Sequence, residues 1–298
     1  MAPVLHRPRA LQGLVAVALL AVALAAGCGG SDDDEAGSSS TSATTTEAGS
    51  STTEATPSTT ATTVTTAPGT SAAGSTVPAA PVSVLLVGDS VGFTLQEHVP
   101  DEVPGVESVD GKALAGCGLI LEGERPPDAV AAGAPPRYDD CAAGVADADR
   151  AGLAADPDVV LLVSGAWEWN DHVRDGRTVG PGDEAWTGEI RQLLTDRVGS
   201  LASTGATVAL WVDPCSPKPG AAPRQVWYRD AVLEPVAEAT GAVLVDPASL
   251  VCAPDGTPRT DLPGVGDPRP DDGQHWSTDG AEWLWATWLG PTLADAAA

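Results

Sequence analysis

From about residue 81 onwards, short runs of apolar and often β-branched residues recur along the chain, each followed by small or polar residues. Continuous apolar runs of this length are typical of parallel strands that are covered on both faces of a sheet. The pattern predicts four buried strands and a weaker fifth: Ser83–Val87, Asp158–Val163, Ala206–Val212, Ala242–Val245 and, less marked, Val106–Val109.

The segments between these runs favour helices. Apolar residues in Glu184–Leu201 recur close to the helical spacing, and Arg224–Thr240 and Asp279–Ala296 are further helical candidates. Strands alternating with helices predict an α/β fold of three layers, with a doubly wound parallel sheet of about five strands between two helical layers. Sites in such folds collect at the carboxyl ends of strands, so we expect functional residues directly after each strand.

The amino-terminal segment has the pattern of an export signal. A short basic start precedes the apolar run Leu11–Ala26, which is too short to span a bilayer comfortably. The run ends in Leu24-Ala-Ala-Gly-Cys28, which resembles a bacterial lipobox. We therefore expect a lipoprotein signal peptide at 1–27 and a diacylglycerol on Cys28. An ordinary secretory signal that happens to hold a cysteine is the alternative.

Residues 28–80 are mostly Ser, Thr, Ala and Gly, with very few large apolar side chains. Such a segment cannot bury enough surface to offset its ordering entropy, so we expect a disordered tether. Residues 81–298 suit one domain, which we expect to be monomeric. The formal net charge of −26 argues against nucleic acid and against an anionic membrane face as partners. Membrane attachment is therefore expected through lipidated Cys28 and by no other route.

Four cysteines besides Cys28 predict two disulfides in an exported domain, and three pairings are possible. We favour closure between neighbours, Cys117 with Cys141 and Cys215 with Cys252. A metal site is the competing interpretation, but no CxxC or HxxxH spacing supports it. We therefore expect neither a metal nor another cofactor.

A serine follows the first predicted strand, in the sequence Gly88-Asp89-Ser90. Glycine permits a sharp turn, and the helix that follows would present backbone N–H groups and a partial positive charge near the hydroxyl. A serine in that place can attack a carbonyl carbon while neighbouring amides stabilise the oxyanion. A simple helix N-cap fits the same residues, so the motif needs a partner.

A serine nucleophile needs a general base, usually a histidine oriented by a carboxylate. Three histidines follow the predicted signal peptide. His98 lies along the helix that begins at Ser90 and should face away from the turn, and His172 lies in a polar loop and should contact solvent. His275 comes three residues after Asp272 on a loop that contains glycine. We therefore predict Ser90 as nucleophile, His275 as base and Asp272 as the orienting carboxylate.

These residues resemble the SGNH, or GDSL-type, hydrolase superfamily over essentially the whole domain. Gly88-Asp-Ser-Val91 is similar to its first block and Asp272-Gly-Gln-His275 to its last, while Ala115-Gly-Cys-Gly-Leu119 is similar to the block that supplies an oxyanion-hole amide. More narrowly, the chain resembles SGNH domains associated with bacterial membrane O-acyltransferases. The resemblance implies a flavodoxin-like fold and acyl-ester chemistry on an envelope glycan, without a metal.

The third block departs from the superfamily pattern Gly-x-Asn-Asp, in which the Asn side chain donates to the oxyanion. This chain has Gly165-Ala-Trp-Glu168 there, and an ionised carboxylate cannot donate. Trp167 can donate through its indole if it points inward, and Asn170 follows from the loop. The side-chain donor is left open, and the candidates for the oxyanion hole are Ser90, Gly116, Gly118, Trp167 and Asn170.

The leading functional hypothesis is a serine esterase or O-acyltransferase on the outer face of the cell membrane. It would act on acyl esters, expected to be acetyl esters, of envelope glycans or on small esters, through an acyl-Ser90 intermediate. A non-catalytic surface lipoprotein that binds glycans or a partner is the alternative, and it gains if Ser90 and His275 lie beyond hydrogen-bond reach.

Overall fold

A computed structural model describes residues 80–123 and 141–298 of the 298-residue chain. The predicted signal peptide, the predicted lipidation site Cys28 and nearly all of the predicted tether lie outside the described residues. The fold is therefore that of the predicted domain.

The central sheet contains five parallel strands, each within two residues of the bounds predicted from the sequence. They are β1 (Val82–Gly88), β2 (Val106–Gly111), β3 (Val159–Val163), β6 (Thr207–Trp211) and β7 (Val243–Val245). Their order is β2-β1-β3-β6-β7. This is the flavodoxin-like order, in which the chain reverses direction across the sheet beside β1. The predicted doubly wound fold is confirmed. A separate antiparallel pair joins β4 (His172–Arg174) and β5 (Arg177–Val179).

Helices cover both faces of the sheet. Those in the described ranges are α1 (Ser90–Glu97), α2 (Cys141–Leu153), α3 (Glu184–Leu201), α4 (Ala221–Tyr228), α5 (Glu234–Thr240), α6 (Ala248–Val251), α7 (Thr278–Leu284) and α8 (Gly290–Ala296). The bounds of α3 are those predicted. The other two predicted helices each contain a π-helical turn, Arg229–Leu233 and Trp285–Leu289. None of these helices is both long enough and apolar enough to cross a membrane.

The alternation of side chains along β1 divides the hydrophobic core into two layers. Leu85 and Val87 pack on one face of the sheet, against residues of α3 and of the helices between β6 and β7. Val84 and Leu86 pack on the other face, against residues of α1, α7 and α8. Successive side chains of a strand point to opposite faces, so an apolar run such as this one requires cover on both sides.

Two disulfides are present, with the favoured pairing of neighbours. Cys117 is bonded to Cys141, with their Cα atoms 5.5 Å apart, and Cys215 is bonded to Cys252 at 5.9 Å. The first joins the loop after β2 to the start of α2. The second joins the loop after β6 to the end of α6. Disulfides persist in oxidising compartments, so the pair indicates an extracytoplasmic protein.

The turn between β1 and α1 depends on a glycine. Gly88 has φ +132°, and a Cβ atom at this position would overlap the Val163 carbonyl on β3. That same carbonyl accepts a hydrogen bond from the Asp89 N–H at 3.1 Å. The chain can leave the sheet here because residue 88 has no side chain, and Ser90 is the first residue of α1 as a result.

We expect Gly88→Ala to lower the free energy of unfolding by at least about 3 kcal/mol, because the new methyl group meets rigid backbone and the φ value is unfavourable for alanine. Gly199→Ala is the matched control, since Gly199 lies in α3 with nothing near its Cα hydrogen. That variant should gain about 0.5–1 kcal/mol from helix propensity. Urea unfolding measures both, and equal stability of the two variants contradicts this account of the turn.

Candidate active site

Ser90, His275 and Asp272 lie in one hydrogen-bonded line. The Oγ atom of Ser90 is 2.8 Å from Nε2 of His275, and Nδ1 of the same ring is 2.8 Å from Oδ2 of Asp272. Ser90 begins α1, whereas the other two residues lie in the loop that precedes α7. The fold therefore brings Ser90 to a histidine that lies 185 positions later in the sequence.

Asp272 is held by backbone N–H groups in a position that orients the imidazole of His275. Its Oδ1 atom accepts from the backbone N–H groups of Gln274 and His275 at 2.8 and 2.9 Å, which leaves Oδ2 for the ring. Partial burial opposes ionisation, but these N–H donors outweigh it, and the pKa of Asp272 lies below its usual value. The ionised carboxylate favours the tautomer with hydrogen on Nδ1. Nε2 is then the acceptor for the proton of Ser90.

The N-cap of α1 is Asp89 and not the serine. Oδ1 of Asp89 accepts from the Val91 N–H at 2.9 Å, and the side chain is fully buried. The capping role that the sequence could equally have assigned to Ser90 is therefore filled by its neighbour. This leaves the Ser90 hydroxyl available to His275.

The glycine block lies beside the turn that carries Ser90. The chain after β2 continues along β1, with the N–H groups of Lys112 and Leu114 donating to the carbonyls of Leu86 and Gly88, both at 2.8 Å. Gly116, with φ +81°, and buried Gly118 follow directly. Across residues 80–123 and 141–298, the N–H groups of Ser90 and Gly118 donate to no protein acceptor. The geometry keeps both as candidate oxyanion donors.

The third block does not place a solvated carboxylate in the loop. Glu168 is fully buried, and its two oxygens accept from the N–H groups of Leu119 at 2.6 Å and Gly165 at 2.8 Å. The side-chain nitrogen of Asn170 donates to the Ala166 carbonyl within the same turn. Trp167 is half-buried. The oxyanion roles of Gly116, Trp167 and Asn170 stay predictions.

The interpretation of His172 as a solvent-contacting residue was wrong. His172 begins β4 and is buried, with its ring 4.9 Å from that of Trp186 and its Nε2 atom 2.7 Å from the Trp167 carbonyl. Burial lowers its pKa to about 4, so the ring is neutral at physiological pH. The hairpin of β4 with β5 folds the polar segment back onto α3, a long-range arrangement that the local sequence does not show. His98 lies away from Ser90, 3.4 Å from the Thr278 hydroxyl.

Three acidic side chains, Asp89, Glu168 and Asp213, follow strands β1, β3 and β6, and we call them the acidic floor. Both oxygens of Asp213 accept from indole N–H groups, those of Trp211 at 3.2 Å and Trp169 at 3.3 Å. Burial raises the pKa of all three carboxyls, that of Asp213 to about 6. Each of these carboxyls therefore keeps its proton to a higher pH than a solvent-exposed carboxyl does.

Sequence reasoning missed the contributions of Glu168 and Asp213. Glu168 was interpreted as a side chain that cannot donate, yet it serves as an acceptor. Asp213 is not among the site residues that the sequence predicts. The available signal was the position of both residues within five positions of the end of a buried strand, where α/β folds collect functional groups.

A polar cavity of about 480 Å³ opens beside the loop that carries Asp272 and His275. Its lining includes Trp169, Asn170, Asp171, Lys218 and Arg224. Arg224 pairs with both carboxylate oxygens of Asp171, at 2.8 and 3.0 Å, and the Lys218 ammonium group donates to the side chain of Gln274, the residue before His275. Within the described ranges, no group of three or more His, Cys, Asp or Glu side chains is arranged to hold a metal ion.

A family model described as "SGNH domain (fused to AT3 domains)" matches residues 56–289, which is more than half of the chain. The chain belongs to the SGNH domain family. No curated protein sequence matches it. The predicted resemblance is thus confirmed at the level of the family. The match begins within the segment that the sequence predicts as a tether.

Solved structures similar to this SGNH domain come from several bacteria. The periplasmic domain of a lipopolysaccharide acetyltransferase from Salmonella ser. Paratyphi A is 10% identical, with 68% of this chain and 80% of that chain covered and a TM-score of 0.46. A GDSL-like lipase from Bacteroides thetaiotaomicron is 13% identical, with 72% and 88% covered and a TM-score of 0.45. An acetyl xylan esterase is 14% identical, with 72% and 96% covered and a TM-score of 0.40. These likenesses are too distant to transfer an activity or a substrate.

Asp272→Asn should slow the reaction of Ser90 with a fluorophosphonate by about 10³–10⁴-fold, because an amide can donate to Nδ1 of His275 and stabilise the wrong tautomer. The rate of covalent labelling measures this directly. Asp271→Asn is the control, since Asp271 is exposed on the same loop and carries the same charge. It should react at close to the wild-type rate. Equal slowing of both variants would show that loop charge matters and the orientation of the ring does not.

Proposed function

We propose that this SGNH domain is a serine esterase or O-acyltransferase that acts through an acyl-Ser90 intermediate. The observation that carries the proposal is the continuous line from Asp272 through His275 to Ser90, with both contacts at 2.8 Å. This is the arrangement of nucleophile, base and orienting carboxylate that activates a serine hydroxyl.

In the first half-reaction, Nε2 of His275 accepts the proton of Ser90 as Oγ forms a bond to the carbonyl carbon of the ester. The carbonyl oxygen becomes an oxyanion, for which the N–H groups of Ser90 and Gly118 are the proposed donors. The intermediate collapses, the bond to the alcohol oxygen breaks, and the imidazolium returns its proton to that oxygen. Asp272 stabilises the imidazolium throughout.

In the second half-reaction, the acyl group leaves Ser90 for an oxygen nucleophile. Neutral His275 accepts a proton from a water molecule or from a sugar hydroxyl, and the nucleophile attacks the acyl carbon. Collapse restores the Ser90 hydroxyl by return of the proton. Water as nucleophile makes the protein an esterase, and a sugar hydroxyl makes it an O-acyltransferase.

The proposed substrates are acyl esters, in particular acetyl esters, of cell-envelope glycans. The described association of this family with AT3 domains and the resemblance to SGNH domains of envelope O-acyltransferases support an acyl-group substrate. The cavity beside the loop of Asp272 and His275 supports a polar substrate. Its lining combines the indole of Trp169 with the amide of Asn170 and the charged groups of Lys218 and Arg224. Sugar hydroxyls suit such a lining of aromatic and hydrogen-bonding groups.

A purely binding role was the alternative, and it required Ser90 and His275 to lie apart. Their separation of 2.8 Å does not favour it. The short contact supports an esterase or acyltransferase over a protein that only binds glycans.

The full-length chain, solubilised in detergent, tests the function. We expect 4-nitrophenyl acetate to give a burst of nitrophenol and a mass increase of one acetyl group on Ser90. O-acetylated envelope glycans should then be deacetylated, or should donate acetyl groups to an added sugar. Ser90→Ala should show neither burst nor adduct. Equal acetylation of wild type and Ser90→Ala, or no turnover of any acyl ester by the wild type, overturns the proposal.

We propose further that the domain is held at the outer face of the cell membrane by a lipid on Cys28. Several buried acyl methylenes, each contributing about 0.8 kcal/mol, hold such an anchor stably. In bacteria expressing the full chain, radioactive palmitate should label the wild type, which should sediment with membranes. Cys28→Ser should be unlabelled and soluble, and membrane association of that variant would refute the anchor.

A further inference from the structure

Glu168 connects the two stretches of backbone that follow β2 and β3, the strands on either side of the one that leads to Ser90. Its Oε1 atom accepts from the Leu119 N–H, which follows the glycine block, and Oε2 accepts from the Gly165 N–H at the end of β3. The side chain is fully buried, so water does not compete for either contact. One carboxyl group therefore joins loops that are 49 positions apart in the sequence.

We propose that Glu168 is a positioning residue that holds the Gly118 amide in the place where it donates to the oxyanion. The proposal rests on the function proposed above and extends it to the residue that replaces the family's usual third-block acid. It also accounts for a site whose third block lacks the usual side-chain donor, because firmly held backbone amides supply preorganised donors in its place.

The backbone on both sides of Gly118 is held. Before it, the Cys117 N–H donates to the Leu114 carbonyl at 3.1 Å. After it, the peptide group between residues 118 and 119 is bonded at both ends, with its carbonyl oxygen accepting from Arg197 at 3.3 Å and its N–H donating to Glu168. The amide of Gly118 itself donates to no protein group in residues 80–123 and 141–298. It is the one N–H of residues 117–119 left available to a ligand.

Residue 118 also has no room for a side chain. A Cβ atom on Gly118 would overlap Oε1 of Glu168. The carboxyl group thus lies directly against the glycine Cα. A shift of Glu168 would move the segment that carries the Gly118 amide, and misplacement of a catalytic group by about 1 Å can cost about 10²-fold in rate.

The chemistry of this position calls for an acceptor and not merely for a side chain of the right size. The N–H groups of Leu119 and Gly165 both donate to Glu168, and a carboxyl group offers each of them an oxygen. Glutamine fills nearly the same volume but must turn its NH₂ group toward one of the two N–H groups. Glu168→Gln therefore removes one of the two contacts while leaving the packing almost unchanged.

The experiment compares Glu168→Gln with Glu238→Gln in the full-length chain. Glu238 is exposed on α5, so the control makes the same carboxyl-to-amide substitution away from the site. Active sites are counted by fluorophosphonate titration. The rate constant kcat and KM are measured for an acetyl ester, and the inhibition constant is measured for a boronic acid, whose tetrahedral serine adduct places an oxygen in the oxyanion hole.

For Glu168→Gln we expect kcat per titrated site to fall by about 10- to 100-fold, with KM nearly unchanged and the boronic acid bound more weakly in proportion to kcat. Glu238→Gln should behave as wild type. A purely structural role would reduce the number of titrated sites and leave kcat per site unchanged, and that result overturns the proposal. A rise in KM at constant kcat also overturns it.

If Glu168→Gln does not fold, Glu168→Asp replaces it. Aspartate keeps both oxygens but is one methylene too short to reach both N–H groups. An unchanged kcat per site in Glu168→Asp overturns the proposal. Should the wild type turn over no ester, the proposed function fails. The rate of fluorophosphonate labelling, which also places an oxygen in the oxyanion hole, then decides the role of Glu168.

Discussion

Where β1 ends, the backbone of Gly88 packs directly against the carbonyl of Val163 on β3, and this close approach sets the direction in which the chain leaves the sheet. Asp89 is thereby placed to cap α1, and Ser90 becomes the first helical residue with its hydroxyl toward His275. The loop after β2 uses the same edge, since Leu114 donates to the Gly88 carbonyl. Nucleophile, cap and glycine block are all positioned by the backbone around one residue without a side chain.

Three of the chain's many acidic side chains are buried beside the turn that carries Ser90. The acidic floor of Asp89, Glu168 and Asp213 lies next to a place where negative charge would develop during ester cleavage. Burial raises the pKa of each carboxyl, and their hydrogen bonds from backbone N–H and indole groups moderate that effect. The acidic floor is a set of acceptors that hold the surrounding loops and indole rings in place. Asp272, by contrast, is ionised and faces the imidazole.

The contacts of Glu168 give a structural reason for the altered third block. A residue that cannot donate to an oxyanion still contributes if it fixes the backbone that does. Glu168 accepts from Leu119 and Gly165, and so links the glycine block to the end of β3. Preorganised amides contribute to catalysis because their dipoles need no reorientation when charge appears. The cavity that Lys218 lines lies beside the loop of His275, because the Lys218 ammonium group donates to the side chain of Gln274.

The sequence by itself determined the five strands, the three-layer fold, the family and the identity of Ser90, Asp272 and His275 as candidates. Apolar runs, turn glycines and short spacings such as Asp272 to His275 are local, so the residues that carry them are also the residues that interact. Only the tertiary structure decided that His172 is buried, that Asp89 is the cap, and that Glu168 is an acceptor between two loops. The burial of His172 and the acceptor role of Glu168 depend on contacts with other segments of the chain, and Asp89 is placed by the contact of Gly88 with β3. The local sequence around a polar residue after a strand is the same whether its side chain contacts solvent, an aromatic ring or a backbone amide. The packing of the other segments determines which of these partners it has.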